Sequence, residues 1–198
     1  MNIKKQEKIE GKLKNSIIGF AGAGGLGSNA AVSLARTGVS KLIIVDFDKI
    51  EKSNLNRQYY FKDQIGKVKV EALKDNIKKI NPVIDVQTYN EKLIKGSMHN
   101  HFSNCDIVIE ALDSADAKTD FIEDIMSNYP KKHIISASGV TGYGNFEKIK
   151  IKHLGFLHII FDEEAKDSEN DVLTSARVSI FANAQANLAL ELILGEGK

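Results

Sequence analysis

One cysteine in 198 residues rules out an intrachain disulfide and a cysteine-rich zinc site, so no structural zinc is expected. No stretch approaches the roughly eighteen apolar residues of a membrane-spanning helix. The N-terminal MNIKKQEKIEGKLKN lacks the apolar core of a secretory signal. The expected location is the cytoplasm, with no membrane partner. An excess of one charge is also missing. Lys and Arg total 27 against 26 Asp and Glu, a net charge of +1 that gives no electrostatic ground for a nucleic-acid partner. Arginine itself is scarce, confined to Arg36, Arg57 and Arg177. With two prolines, 42% hydrophobic and 27% charged residues, the composition is that of a soluble globular protein. The length suits one domain, residues 1–198, with a substantial core.

The most informative feature present is GAGGLG at 22–27, between the apolar run Ile17–Phe20 and a helix-like stretch from Ser28. Gly22, Gly24 and Gly27 meet the G-x-G-x-x-G spacing, which lets a backbone turn tightly and aim helix N–H groups at a phosphate. Asp46 closes the next apolar run, Leu42–Val45, roughly twenty residues on, where a carboxylate can accept from ribose hydroxyls. An adenine nucleotide is the expected ligand. On these features alone, a nicotinamide dinucleotide and ATP are equally open.

Apolar periodicity predicts strands near 16–20, 41–45, 83–88, 106–110 and 133–137, with helices to Thr37, over 67–80, over 115–127 and over 175–194. Gly38 and Pro82 mark helix ends. Residues 2–14 read as a polar helix or arm with few anchors, suited to packing on a partner. The segment 46–61 is too rich in Asn, Asp and Ser to be core. Phe146–Ile151 and Phe156–Phe161 read as further strands, the first at an edge, and 166–171 as an acidic loop. The fold class is α/β: a Rossmann-like, mainly parallel sheet flanked by helices, with antiparallel strands near the C-terminus.

Open parallel sheets bind ligands at the carboxyl ends of their strands. Three candidates lie there: the glycine turn, Asp46, and Asp113 after the strand ending at Glu110. Asp113 is a candidate for a divalent cation; its plain alternative is a helix N-cap or solvated loop carboxylate. Asp48 is free to orient a basic residue or assist a metal if Asp46 holds ribose. Arg57, in the amide-rich Ser53–Gln58 block, has the planar fork that suits phosphate oxygens, or a surface ion pair. Lys69 opens a helix, where its charge opposes the dipole; a phosphate or Glu71 would relieve that. Cys105 reads as a small core residue. His99 and His101 read as loop residues, and His133, His153 and His158 as strand residues without a third ligand at useful spacing. No nucleophile elbow is present.

Together GAGGLGSN, VDFDKIEKSNLNRQ, GKVKVEAL, ALDSADAK and SASGVTGYG resemble the ThiF/MoeB/HesA group of E1-like ubiquitin-like-protein activating enzymes, most of all its short ThiF-like branch. The resemblance spans roughly residues 15–195. It implies ATP and Mg2+ as cofactors and adenylation of the C-terminal glycine carboxylate of a small sulfur carrier ending in Gly-Gly, the implied partners being that ThiS-like carrier of thiamine thiazole biosynthesis and a second copy of the chain in a homodimer. By motif, it implies that Gly24, Gly25 and Gly27 surround the phosphates with Gly22, and that Asp46 holds the ribose. Asn54, Arg57 and Lys69 contact phosphates, Asp113 coordinates magnesium, and Ser114 follows as a small polar neighbour. Related homodimers send an N-terminal arginine into the partner's site; here residues 1–35 hold only lysines, among them Lys4, Lys5, Lys8, Lys12 and Lys14. An oxidoreductase using NAD and a non-catalytic E1-like scaffold are the alternatives.

Overall fold

A computed structural model describes residues 3–165 and 171–195. The expected acidic loop at 166–171 therefore lies almost wholly outside the described residues. The helices are α1 (Ile3–Leu13), α2 (Gly25–Thr37), α3 (Lys69–Ile80), α4 (Ala115–Asn128) and α5 (Ser175–Leu194). The strands are β1 (Ile17–Ala21), β2 (Lys41–Val45), β3 (Asp85–Tyr89), β4 (Ile107–Glu110), β5 (His133–Ser138), β6 (Ile149–Leu154) and β7 (Leu157–Asp162). They form one seven-stranded sheet in the order β3-β2-β1-β4-β5-β7-β6. All neighbours run parallel except β6 against β7. The antiparallel pair β6–β7 lies toward the C-terminal end of the chain, where the sequence pattern suggested antiparallel strands.

The strand order explains where a ligand can sit. The chain moves outward from β1 through β2 to β3, then crosses back to β4 on the other side of β1. Loops leaving β1 and β4 therefore diverge and open a crevice at their carboxyl ends. The sheet is buried on both faces, which is why β1, β2 and β4 are short apolar runs rather than alternating ones. One face packs Ile18, Phe20, Leu42 and Ile44 against Leu34, Leu73 and Phe181 of α2, α3 and α5. The other packs Val45, Val108 and Ile134 against Phe102, Phe121 and Ile125.

Several sequence expectations shift. Ile50 and Tyr60 are buried, so the polar 46–61 segment does contribute to the core. Its turns are held by side chains rather than by a ladder: Asp46 accepts from the backbone N–H groups of Ala23 and Asp48, and Asn54 from that of Glu51. Phe146–Lys148 is a single 3-10 turn entered from Asn145 at φ 46°, and the edge strand begins only at Ile149. The N-terminal helix is anchored on its own chain: Leu13 is buried, Ile9 packs on the core, and Lys12 Nζ donates to the Leu194 carbonyl. On α5, Val178, Phe181, Ala182, Gln185 and Ala189 are buried as the spacing requires, while Leu192 is half-buried and Arg177 joins the buried face.

Candidate functional site

The loop between β1 and α2 has a shape that its glycines dictate. Gly22 has φ 104°, and a Cβ there would lie 2.6 Å from the Ala111 carbonyl oxygen. A Cβ on Gly27 would lie 2.0 Å from the Gly22 carbonyl oxygen. The loop is thus pressed against the residue two places before Asp113, and no side chain fits between. Helix α2 starts at Gly25 without a side-chain cap and without an acidic residue in its first turn. Its N–H groups and positive dipole end remain available to an anion.

Four contacts hold this loop against the segment after β2. Asp46 Oδ2 accepts from Ala23 N at 2.7 Å and its Oδ1 from Asp48 N at 2.8 Å. Tyr60 donates its hydroxyl to Ala23 O at 2.7 Å. Asn29 Nδ2 donates to both Gly25 O and Arg57 O. Ser28 Oγ accepts from Tyr59 N at 3.0 Å. Burial, reinforced by the charges of Asp46 and Asp48, holds the Tyr60 hydroxyl pKa well above its ordinary 10, so it stays a proton donor.

The charged candidates fall around that frame. Lys69 is buried at the start of α3, and its Nζ meets Asp48 Oδ2 at 2.7 Å. Asp48, rather than Glu71, offsets the cation; Glu71 instead accepts from Thr88. Arg57 packs near Gly25, with its Cγ 3.8 Å from the position of a Cβ there. Its Nη1 donates to Ser53 O and Asn56 Oδ1, leaving the rest of the fork without bonds among the described residues. Asn54 turns its own segment through a bond from Glu51 N. Asp113 is exposed and makes no hydrogen bond or ion pair among the described residues. The N-cap of α4 is Ser114, whose Oγ accepts from Ala117 N, so Asp113 does not serve as that cap.

Sequence reasoning missed two participants. Gln58 lies over Gly24, and its Oε1 is buried with no partner. Glu110, fully buried at the end of β4, accepts from Leu112 N, Lys118 Nζ and Ser136 Oγ, and so braces the Asp113 loop against α4 and β5. An acidic residue inside an apolar strand was the available signal for Glu110. Gln58 stood within the amide-rich block without being singled out. Beyond the β4 loop, the 139–144 loop leaves the carboxyl end of the neighbouring strand β5. Arg177 Nη1 donates to Gly144 O at 2.9 Å and its Nη2 pairs with Asp162, both side chains buried. Thr174 donates to Gly142 O. Tyr143, Phe146 and Val172 stand exposed around this loop.

Other sequence candidates lie elsewhere. Cys105 is in the core, its thiol pushed up to about 12 chiefly by burial. His99 pairs with Asp124 and His101 with Glu91, so each has its own carboxylate and the two do not share a site. His133, His153 and His158 lie in strands, as read, and the fold brings them together although no sequence spacing does, because β5, β7 and β6 are neighbours only in the folded sheet.

The profile described as "ThiF family" matches residues 3–198. The chain is 34% identical over 158 residues to the adenylyltransferase and sulfurtransferase UBA4 of Vanderwaltozyma polyspora, covering 78% of this chain and 36% of that protein. It is 34% identical over 202 residues to a probable molybdopterin-synthase adenylyltransferase of Porphyra purpurea, covering 96% and 52%. The chain thus spans between about a third and a half of these curated relatives. Among solved structures, E. coli tRNA N6-threonylcarbamoyladenosine dehydratase in complex with ATP superposes with a TM-score of 0.87 at 23% identity, covering 96% of this chain and 90% of that one. E. coli MccB with ATP gives 0.75 at 21% identity, covering 96% and 59%. At such identities these two establish the fold.

Proposed function

The chain belongs to the ThiF family, and on that premise we propose that it adenylates the C-terminal glycine carboxylate of a ubiquitin-like sulfur carrier, using ATP and Mg2+. The carrier proposed is ThiS-like, serving thiamine thiazole synthesis, and the working state is a homodimer. The observation that carries the reading is the open α2 N-terminus, walled by glycines and flanked by Asp46 on one side and Arg57 on the other.

The residues fit ATP. Uncapped N–H groups at Gly25 and beyond suit phosphate oxygens. Asp46 spends one bond per carboxylate oxygen on backbone, which leaves lone pairs for ribose hydroxyls. Gln58, whose amide orientation is interchangeable, supplies a buried polar group still lacking its partner. They also fit magnesium. Mg2+ characteristically takes one or two carboxylates and fills its octahedron with phosphates and water. An exposed, unpaired Asp113 meets that need; among the described residues no cluster of three or more His, Cys, Asp or Glu does.

In the proposed reaction one glycine carboxylate oxygen attacks the α-phosphorus. The bond from that phosphorus to the bridging oxygen breaks, and pyrophosphate leaves with the electron pair. No proton moves, so no general base is required. The obstacle is repulsion between two anions. Arg57 and Lys69 screen it and stabilise charge growing on pyrophosphate, while Asp48 holds the Lys69 ammonium in place. Mg2+, when bound, adds charge neutralisation at the phosphates. The carrier tail runs beneath the 139–144 loop, with Tyr143, Phe146 and Val172 meeting the carrier's apolar surface.

Exchange of labelled pyrophosphate into ATP tests this, with magnesium and candidate carriers ending in Gly-Gly. Exchange that requires one carrier and disappears in Asp113→Ala supports the reading and identifies the carrier. Absence of exchange with every folded, correctly processed carrier, from protein that still binds ATP, overturns it.

A further inference from the structure

Three of the five histidines meet at the amino end of the sheet, the end opposite the glycine loop. His158 on β7 is buried. Its Nδ1 lies 2.7 Å from Nδ1 of His153 on β6, and its Nε2 lies 2.8 Å from Nδ1 of His133 on β5. His153 and His158 are direct partners across the antiparallel ladder, so both side chains leave the same face. The His133 and His158 rings are within 18° of parallel, and the His153 ring is turned by 72°. Phe156 stands edge-on to His133 with centroids 5.0 Å apart.

Counting protons narrows what this arrangement can do. A neutral imidazole carries one N–H, and each of the two gaps holds one proton. When His158 carries its proton on Nε2, it donates to His133, and its Nδ1 lone pair faces His153. The 153–158 gap then holds either the His153 proton or a cation. At ligand bonds of about 2.0–2.1 Å, cis nitrogens at a right angle are about 2.9 Å apart, whereas tetrahedral ones need about 3.3–3.4 Å. The observed 2.7 Å is nearer the right-angled case. His153 is exposed, so it can give the remaining distance at little cost.

We propose that His153 and His158 form a binding site for a tetragonal first-row cation, Cu2+ or Ni2+, with His133 as the acceptor that fixes the His158 tautomer. Metal-bound imidazoles characteristically donate their second N–H to such an acceptor, which orients the ring and raises its basicity. The two nitrogens of His158 point away from each other, so His133 cannot join the same cation. Solvent therefore completes the coordination, in keeping with the lack of any three-ligand cluster among the described residues. His153 moves its proton from Nδ1 to Nε2 as the cation enters, and no net proton is released from the neutral trio. Burial, with the neighbouring His133 and His153, lowers the His158 pKa to about 4, so its lone pair is available at neutral pH. The consequence is a cross-link between edge strand β6 and β7. This site is independent of the adenylation reading.

Titration calorimetry of the untagged full chain with NiCl2 near neutral pH, paired with thermal unfolding, tests the assignment. One Ni2+ per chain is expected, raising Tm reversibly to EDTA. His153→Ala, at an exposed position, should keep the metal-free Tm, bind Ni2+ at least tenfold more weakly and lose the metal-induced rise. His133→Ala should weaken binding by about 10-fold or more through the freed tautomer. Lack of stoichiometric binding by the unmodified chain, or full retention in His153→Ala, overturns the site. Unchanged affinity in His133→Ala overturns the role given to His133.

Discussion

Replacing Gly27 with alanine puts a Cβ 2.0 Å from the Gly22 carbonyl oxygen, where ordinary contact begins at 3.4 Å. About 1.4 Å of separation is missing, and dispersion contacts tolerate only a fraction of that. Retreat is blocked, because the same Cβ would lie 3.3 Å from Ala111 Cβ. Gly22 cannot yield easily either, since its own Cα faces the Ala111 carbonyl. Overpacking of this kind costs about 1–3 kcal/mol, and this case belongs at the upper end. Alanine returns about 0.8–1.0 kcal/mol of helix propensity. The net expectation is a loss of about 2 kcal/mol, a roughly thirtyfold shift in the folding equilibrium. The same substitution at Gly11, inside α1 with nothing within 4 Å, should instead stabilise. Its expected gain is about 0.8–1.0 kcal/mol. Urea unfolding distinguishes them: with m of about 1–3 kcal/mol/M, the Gly27 midpoint falls by about 1 M while the Gly11 midpoint rises. ATP affinity should weaken at least tenfold in Gly27→Ala and stay unchanged in Gly11→Ala. Shifts of equal sign, or unaltered ATP binding by Gly27→Ala, would refute the argument from loop shape.

Asp46→Ala removes the acceptor of two backbone N–H groups; calorimetry should show ATP binding weakened at least tenfold, with about 2–3 kcal/mol of stability lost. Arg177→Met leaves Asp162 buried without its cation and should cost about 3–5 kcal/mol in chemical denaturation. Lys69→Met should abolish pyrophosphate exchange while ATP still binds weakly, and the Lys69→Arg variant should not rescue it, because a planar guanidinium does not reproduce the compact charge that the buried Lys69 sets against the half-exposed Asp48. His158 has its pKa lowered, so the unfolded chain takes up its proton first as pH falls. Its contribution is therefore fully present above about pH 6.5 and is lost progressively toward pH 4. Denaturation midpoints should drop between pH 7 and pH 5, and His158→Gln should flatten that dependence.

Local sequence sufficed wherever one stretch of chain supplies its own signal. Periodicity located β2 and α5 to the residue, since an apolar run between polar turns has one way to be buried. Gly38 announced the end of α2 because a left-handed φ of 99° excludes most other residues. The glycine loop, Asp46, Arg57, Lys69 and Asp113 were legible as types in a pattern, and so was the likeness to the family. What the chain alone left open depended on which elements become neighbours. Nothing local says that Asp48 rather than Glu71 meets Lys69, since that requires the return of α3 against the β2 loop. Ile50 and Tyr60 looked like part of a polar connection until the loop closed over them. Three histidines at 133, 153 and 158 share no spacing, and only the strand order β5-β7-β6 brings their nitrogens within hydrogen-bonding distance. Residue type and period fix what each segment can be. The cross-strand and loop-to-helix pairings that assemble a site are set by global burial, because the lowest free energy belongs to the whole core rather than to any one segment of it.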